Sequence, residues 1–108
     1  MESRYARPDY LVDTAWLAAH LDDSNLLVID CTVDLTVTPG QYIAVSGRAA
    51  YDKGHIPGAV FADLIETFSA PGSRFNFTLP SAERFAAGMS ALGLCNDQRF
   101  VLYSTTTY

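Results

Sequence analysis

Basic side chains are sparse in this sequence: Lys and Arg together number 7 against 12 Asp and Glu, for a formal net charge of -5. Scattered from Arg4 to Arg99, they form no stripe able to track a phosphate backbone, so nucleic acid is not an expected partner. Cysteine is nearly absent. Cys31 and Cys95 stand far apart, with no CxxC pair and no His close enough in sequence to complete a tetrahedral zinc set. Neither a metal site nor a disulfide framework is therefore expected, and nothing calls for a cofactor. Each cysteine follows an apolar segment, where a free thiol behaves as a small hydrophobe, so two reduced thiols are the reading. Long apolar runs are missing too: none approaches the ~20 residues that span a bilayer. The opening Met-Glu-Ser-Arg-Tyr-Ala-Arg-Pro has no apolar stretch of the secretory-signal kind. A cytoplasmic protein without membrane partners is the expectation.

What is present suits one domain. At 108 residues and 49% hydrophobic content, the chain can bury ~65% of its unfolded surface around one core. Residues 1–9 read as a flexible N-terminal arm and 10–108 as the folded part. Leu11-Val12 is a short strand candidate. Asp13 can cap a helix over 14–21 with Trp16, Leu17 and His20 or Leu21 at helical spacing, and the polar cluster 22–25 ends it. Leu26-Leu27-Val28-Ile29 is a continuous apolar run of strand length, suited to a parallel strand buried on both faces. Residues 31–53, broken by Pro39-Gly40 and Gly47, read as a long loop with an extended excursion at 36–38 or 41–45. A strand at 59–61 and a helical turn at 63–68 follow. The loop 69–79 is expected to tuck Phe75, Phe77 and Leu79 inward. Pro80-Ser81 then opens a helix striped by Ala82, Phe85, Ala86, Met89 and Leu92 and stopped by Gly93. Trp16, Phe85, Met89 and the Leu79 neighbourhood are the expected core, and 100–103 is the last strand. This order implies an α/β fold, a mostly parallel sheet with helices on both faces.

The most informative stretch is Tyr51-Asp52-Lys53-Gly54-His55-Ile56-Pro57-Gly58-Ala59, running straight into Val60-Phe61. Gly54 offers a backbone conformation closed to other residues, Pro57 fixes its own φ, and Pro57 pushes Ile56 into extended geometry. The stretch resembles the first signature of the rhodanese family of sulfurtransferases: an aromatic, three residues, then His-aliphatic-Pro-Gly-Ala. At the position where that pattern expects a large apolar residue stands Ala62. The resemblance implies a rhodanese-like domain over most of 11–108, incomplete at the C-terminus. The family adds a further helix, a strand lying between Leu11-Val12 and the strand at 100–103, and a closing helix. A truncated or longer polypeptide is thus an expectation, with an open strand edge meanwhile.

Open α/β sheets bind ligands beyond the carboxyl ends of their strands, so the loops after Ile29, Phe61 and Tyr103 are the places for chemistry. In the rhodanese family the last of these begins with the cysteine that carries sulfur as a persulfide. Here it begins with Ser104, which cannot, so the resemblance implies no catalytic residue in this chain. The long 31–53 segment and the entry Leu79-Pro80-Ser81-Ala82-Glu83 resemble the non-catalytic first domains of tandem enzymes acting on thiosulfate or 3-mercaptopyruvate. Such a domain's partners would be a second rhodanese-like domain of the same polypeptide and, in the parent, a small sulfur donor and acceptor such as cyanide. Arg48 is the substrate-binding candidate, because family members place arginines before this turn and guanidinium suits planar anions. A solvated Arg48 remains open. His55 reads as a hydrogen-bonding member of the turn rather than a catalyst, and Asp30 either meets the crevice or fixes the next turn. Cys31 follows the wrong strand and has no basic neighbour to lower its pKa. A cysteine-less docking or regulatory module is the alternative. A serine hydrolase through Ser104 lacks the Gly-x-Ser-x-Gly elbow.

Overall fold

The computed structural model describes residues 6–75 and 77–106. The first five residues of the expected N-terminal arm, Asn76 and the last two residues lie outside that range. Pro8–Tyr10 make a single 3-10 turn, and helix α1 follows at Thr14–His20. The Asp13 carboxylate accepts from the Trp16 backbone N–H at 2.8 Å, satisfying one of the orphan donors of the first turn. Helix α1 buries Leu17, and its Trp16 ring stacks on His20 at 4.0 Å.

Strand β1, Leu26–Asp30, is central in a parallel three-stranded sheet of order β4-β1-β5. Here β4 is Val60–Phe61 and β5 is Arg99–Tyr103. In register, Leu26 faces Arg99 and Asp30 faces Tyr103 on one side, while Ile29 faces Val60 on the other. Successive side chains of a strand point to opposite faces, and Val28 and Ile29 are 5% and 1% exposed, so both faces of β1 are covered. That is why the run reads as continuously apolar. Burying Ile29 alone is worth roughly 2 kcal/mol. One core cluster is Leu17, Val28 and Ala59, with Trp16, Leu21, Ile56, Val101 and Tyr103 packed on it, and Ile29, Val33, Phe61 and Ala62 are buried as well.

Several expectations need correction. Leu11-Val12 is not a strand: both side chains are exposed, and no strand pairs with them. A groove of about 660 Å³, lined by Leu11, Val12, Trp16, Ile56, Leu102 and Tyr103 among others, lies between this segment and β5. A lone extended segment across such a gap has no ladder to join. Residues 31–53 are more ordered than a long loop, although the extended stretches expected at 36–38 or 41–45 are both present, inside strands. They fold into an antiparallel hairpin, β2 Val33–Thr38 with β3 Gln41–Ser46, and helix α2 Arg48–Lys53. Pro39-Gly40 is the two-residue turn between them, with Gly40 at φ +74°, so the supposed breaker is a hairpin signal.

The 69–79 loop does not tuck its apolar residues in. Phe75, Phe77 and Leu79 are exposed, Leu79 at 87%. Ser73 and Thr78 hydroxyls bond each other at 2.7 Å, Phe75 N–H donates to Ser73 Oγ at 3.1 Å and Thr78 Oγ1 donates to the Phe75 carbonyl at 3.1 Å, so the loop closes on its own polar groups. Helix α3, Ala82–Ala91, has its Ser81 N-cap and its Gly93 at φ +91° as expected. Its packed line is shifted, however: Gly88 is the buried residue, while Ala82, Phe85 and Ala86 are exposed. A Cβ at Gly88 would lie 2.9 Å from the Phe68 ring, so the helix comes closest where it has no side chain. Phe85 meets Phe68 edge-on at 5.8 Å.

In the 54–59 turn the glycine needing special backbone is Gly58, at φ +80°, and not Gly54, whose φ of 176° is extended geometry open to any residue. Nothing lies within 4 Å of a Cβ built on either. Gly58→Ala should therefore cost about 1–2 kcal/mol in urea unfolding, while Gly54→Ala stays within about 0.5 kcal/mol of the parent. Equal losses would overturn this assignment of the turn.

Candidate functional site

The carboxyl ends of β1, β4 and β5 converge where an α/β crevice is expected. Asp30 closes β1 with its side chain 2% exposed. Its Oδ1 accepts from the Thr32 backbone N–H at 2.9 Å and from the Thr32 hydroxyl at 2.6 Å, an Asx turn between β1 and β2. Thr32, 1% exposed, passes the connection on: its Oγ1 accepts from the Thr105 backbone N–H at 3.0 Å. The Thr106 hydroxyl donates to the Val33 carbonyl at 3.0 Å. The loops after β1 and β5 are thus stitched together by hydroxyls.

Ser104 heads the loop after β5. Its Oγ donates to the Thr106 carbonyl at 3.1 Å and accepts from the Thr106 N–H at 3.2 Å. Among the described residues its hydrogen-bond partner is Thr106, which is not a general base, and the hydroxyl serves the loop's closure. Two backbone N–H groups of this loop, those of Thr105 and Thr106, are engaged by side-chain oxygens.

Cys31, beside Asp30, is half-buried. Its Sγ donates to the Tyr103 carbonyl at 3.3 Å. Burial first, and then the Asp30 charge, push its thiol above the ordinary range. Such a thiol is a poor nucleophile at neutral pH. Cys95 is exposed and also free. Burial likewise raises the Tyr103 phenol, whose oxygen accepts from the Ile56 backbone N–H at 3.1 Å and so ties β5 to the turn. Among the described residues no cluster of three His, Cys, Asp or Glu could hold a metal ion.

The signature turn is held from within. Tyr51 on α2 donates its hydroxyl to the Ala59 carbonyl at 2.6 Å, spanning the turn, and His55 Nδ1–H donates to the Tyr51 carbonyl at 2.8 Å. The Tyr51 and His55 rings stack at 3.8 Å and 8°. Arg48, at the first position of α2, donates from Nε to Asp52 at 3.1 Å, and its guanidinium lies 5.4 Å from the Tyr51 ring centre and 5.8 Å from that of Phe61. Its side chain is 62% exposed, so the ion pair leaves guanidinium nitrogens facing water. Arg48 and His55 thus share Tyr51 as a common surface, while Pro57 and Gly58 carry the chain into β4. Thr32, Tyr103, Thr105 and Thr106 escaped the sequence reading. The two-residue spacing of Asp30 and Thr32 was the available signal for an Asx turn.

A parallel sheet, a His-Ile-Pro-Gly-Ala turn feeding its edge strand and a tight loop after β5 define a rhodanese-type α/β domain. The rhodanese-like domain model matches residues 13–107, and the chain belongs to that family. It is 38% identical over 94 residues to the 3-mercaptopyruvate sulfurtransferase of Escherichia coli, a match covering 87% of this chain and 32% of that protein. It is 36% identical over 99 residues to the sulfur carrier protein TtuD of Thermus thermophilus, covering 92% of this chain and 29% of the other. The putative thiosulfate sulfurtransferase SseA of Mycobacterium tuberculosis is 32% identical over 101 residues, with 94% and 29% covered. The crystal structure of the Escherichia coli 3-mercaptopyruvate sulfotransferase SseA superposes with a TM-score of 0.69 at 36% identity, over 89% of this chain and 35% of that one. The chain therefore spans about a third of the length of the relatives it matches.

The raised Cys31 thiol carries a sign. Its neutral form is favoured by the fold, a contribution complete below the ordinary thiol pKa and lost as pH rises from there through the folded value. Iodoacetamide should modify exposed Cys95 faster than Cys31 at neutral pH, and the Cys31 rate should keep climbing above the ordinary thiol range. A Cys31 rate that levels off at or below that range would contradict the assignment.

Proposed function

We propose that this chain is the non-catalytic, scaffold domain of a cytoplasmic tandem sulfurtransferase, which moves sulfane sulfur from thiosulfate or 3-mercaptopyruvate to a thiophilic acceptor such as cyanide. The observation that carries the reading is the loop after β5. A persulfide carrier needs a thiolate and free N–H donors to hold it. Ser104 offers a hydroxyl already bonded to Thr106, and the Thr105 and Thr106 amides are taken by Thr32 and Ser104. The relatives named as sulfurtransferases are about three times the length of the match, which supports a second unit of the same polypeptide as the source of the cysteine. In that arrangement Arg48 lines the shared wall and its free nitrogens meet the anionic sulfur donor. The groove beside β5 would take the further strand that the family resemblance calls for, pairing with the open edge of β5.

A docking or regulatory module binding a protein partner is the second reading, and the same serine supports it. Transfer chemistry separates neither reading from the other, but it does test both against an active enzyme. Purified chain given thiosulfate and cyanide should form thiocyanate no faster than buffer. Transfer that disappears on Cys31→Ser alone would show that the sulfur carrier has been misassigned.

A further inference from the structure

The β2–β3 hairpin has no role in the sulfur chemistry above, and its physics is unusual. It forms a two-stranded sheet of its own, with no third strand joining it among the described residues. An isolated two-stranded hairpin is marginal in water. This one nonetheless shows apolar side chains on both faces: cross-strand partners Val37 and Tyr42 are 73% and 51% exposed on one, and Ile43 and Val45 are 40% and 53% exposed on the other. Along residues 33–46 the only charged side chain is Asp34, in a chain of net charge -5. Natural hairpins protect such edges with lysine or proline, and within residues 33–46 the only such residue is Pro39, at the tip.

Its root ties the hairpin to the candidate site. Gly47 N–H donates to the Thr32 carbonyl at 3.0 Å, and a Cβ at Gly47 would meet that oxygen at 2.4 Å. The Thr106 hydroxyl holds the Val33 carbonyl. The hairpin therefore leaves the sheet from the same end as Ser104, with its root bonded to the loop after β5.

We propose that the β2–β3 hairpin is a docking arm that holds the catalytic rhodanese-like unit of the same polypeptide, through an uncharged, apolar face on that unit. The inference rests on the tandem reading above. Three observations select this occupant. The relatives carry about two thirds of their length outside the match, the arm is continuous with the crevice such a unit must cover, and its near-neutral surface removes the repulsion that an acidic domain would offer another acidic surface.

The test is a chimera in which this chain replaces the matched third of the Escherichia coli 3-mercaptopyruvate sulfurtransferase, compared with the isolated chain by amide hydrogen exchange. Hairpin amides should exchange at least about tenfold more slowly in the chimera. Replacing Val37, Tyr42, Ile43 and Val45 together by Ser should erase that protection while leaving the melting of the isolated chain unchanged. Protection at the Ser104 loop with the hairpin as fast as in isolation would overturn the arm and leave the tandem reading standing. Protection nowhere would defeat the tandem reading and the arm with it. Hairpin protection in the isolated chain that grows with concentration would make a second copy the occupant and also overturn the proposal. The exchange comparison of the unsubstituted proteins decides even if the fourfold variant fails to fold.

Discussion

Asp30 ends the central strand almost without solvent, and a polar group so placed costs several kcal/mol unless its oxygens are met. Thr32 meets one of them twice, through its backbone N–H and its hydroxyl. Meeting it fixes the turn that leads into the hairpin, and the Thr32 hydroxyl oxygen also receives the Thr105 N–H from the loop after β5. Gly47 returns to the same Thr32 through its carbonyl. One buried carboxyl group and one threonine thereby tie together the start and end of the hairpin and the loop after β5.

That arrangement also supports the proposed scaffold role. Of the donors that a sulfur-carrying loop would aim at an anion, the Thr105 amide is taken by Thr32 and the Thr106 amide by Ser104, the serine at the loop's own head. The thiol nearest the site, Cys31, sits beside Asp30, where burial and a like charge both work against the thiolate. The site end of the sheet is closely hydrogen-bonded.

Much of this was legible from residues with strong local rules. Asp13, Ser81 and Gly93 marked helix ends because capping is a contact of a few neighbouring residues, and the continuous apolar run at β1 announced a strand with neighbours on both sides. The signature turn identified the family, although its glycine logic was misread: Gly58 carries the positive φ and Gly54 does not. What stayed hidden depends on distant partners. The exposed faces of Phe75, Phe77 and Leu79 follow from a hydroxyl ring that only folding assembles, and the shift of the α3 packing line to Gly88 follows from where Phe68 arrives. At the site, Ser104 was readable by its place after a strand, whereas Thr32, Thr105 and Thr106 matter only because β1 and β5 are neighbours. The stretches 36–38 and 41–45 read as extended and lie in β2 and β3, but their pairing stayed hidden because Pro39-Gly40 reads equally as a break and as a two-residue turn.

Covalent sulfur loading tests the central claim most directly. The Cys95→Ser chain, incubated with thiosulfate or 3-mercaptopyruvate without reductant and read by intact-mass spectrometry, should keep its unmodified mass, as a scaffold without a sulfur carrier must. A gain of one sulfur atom, retained on Cys31 after peptide mapping, would contradict it.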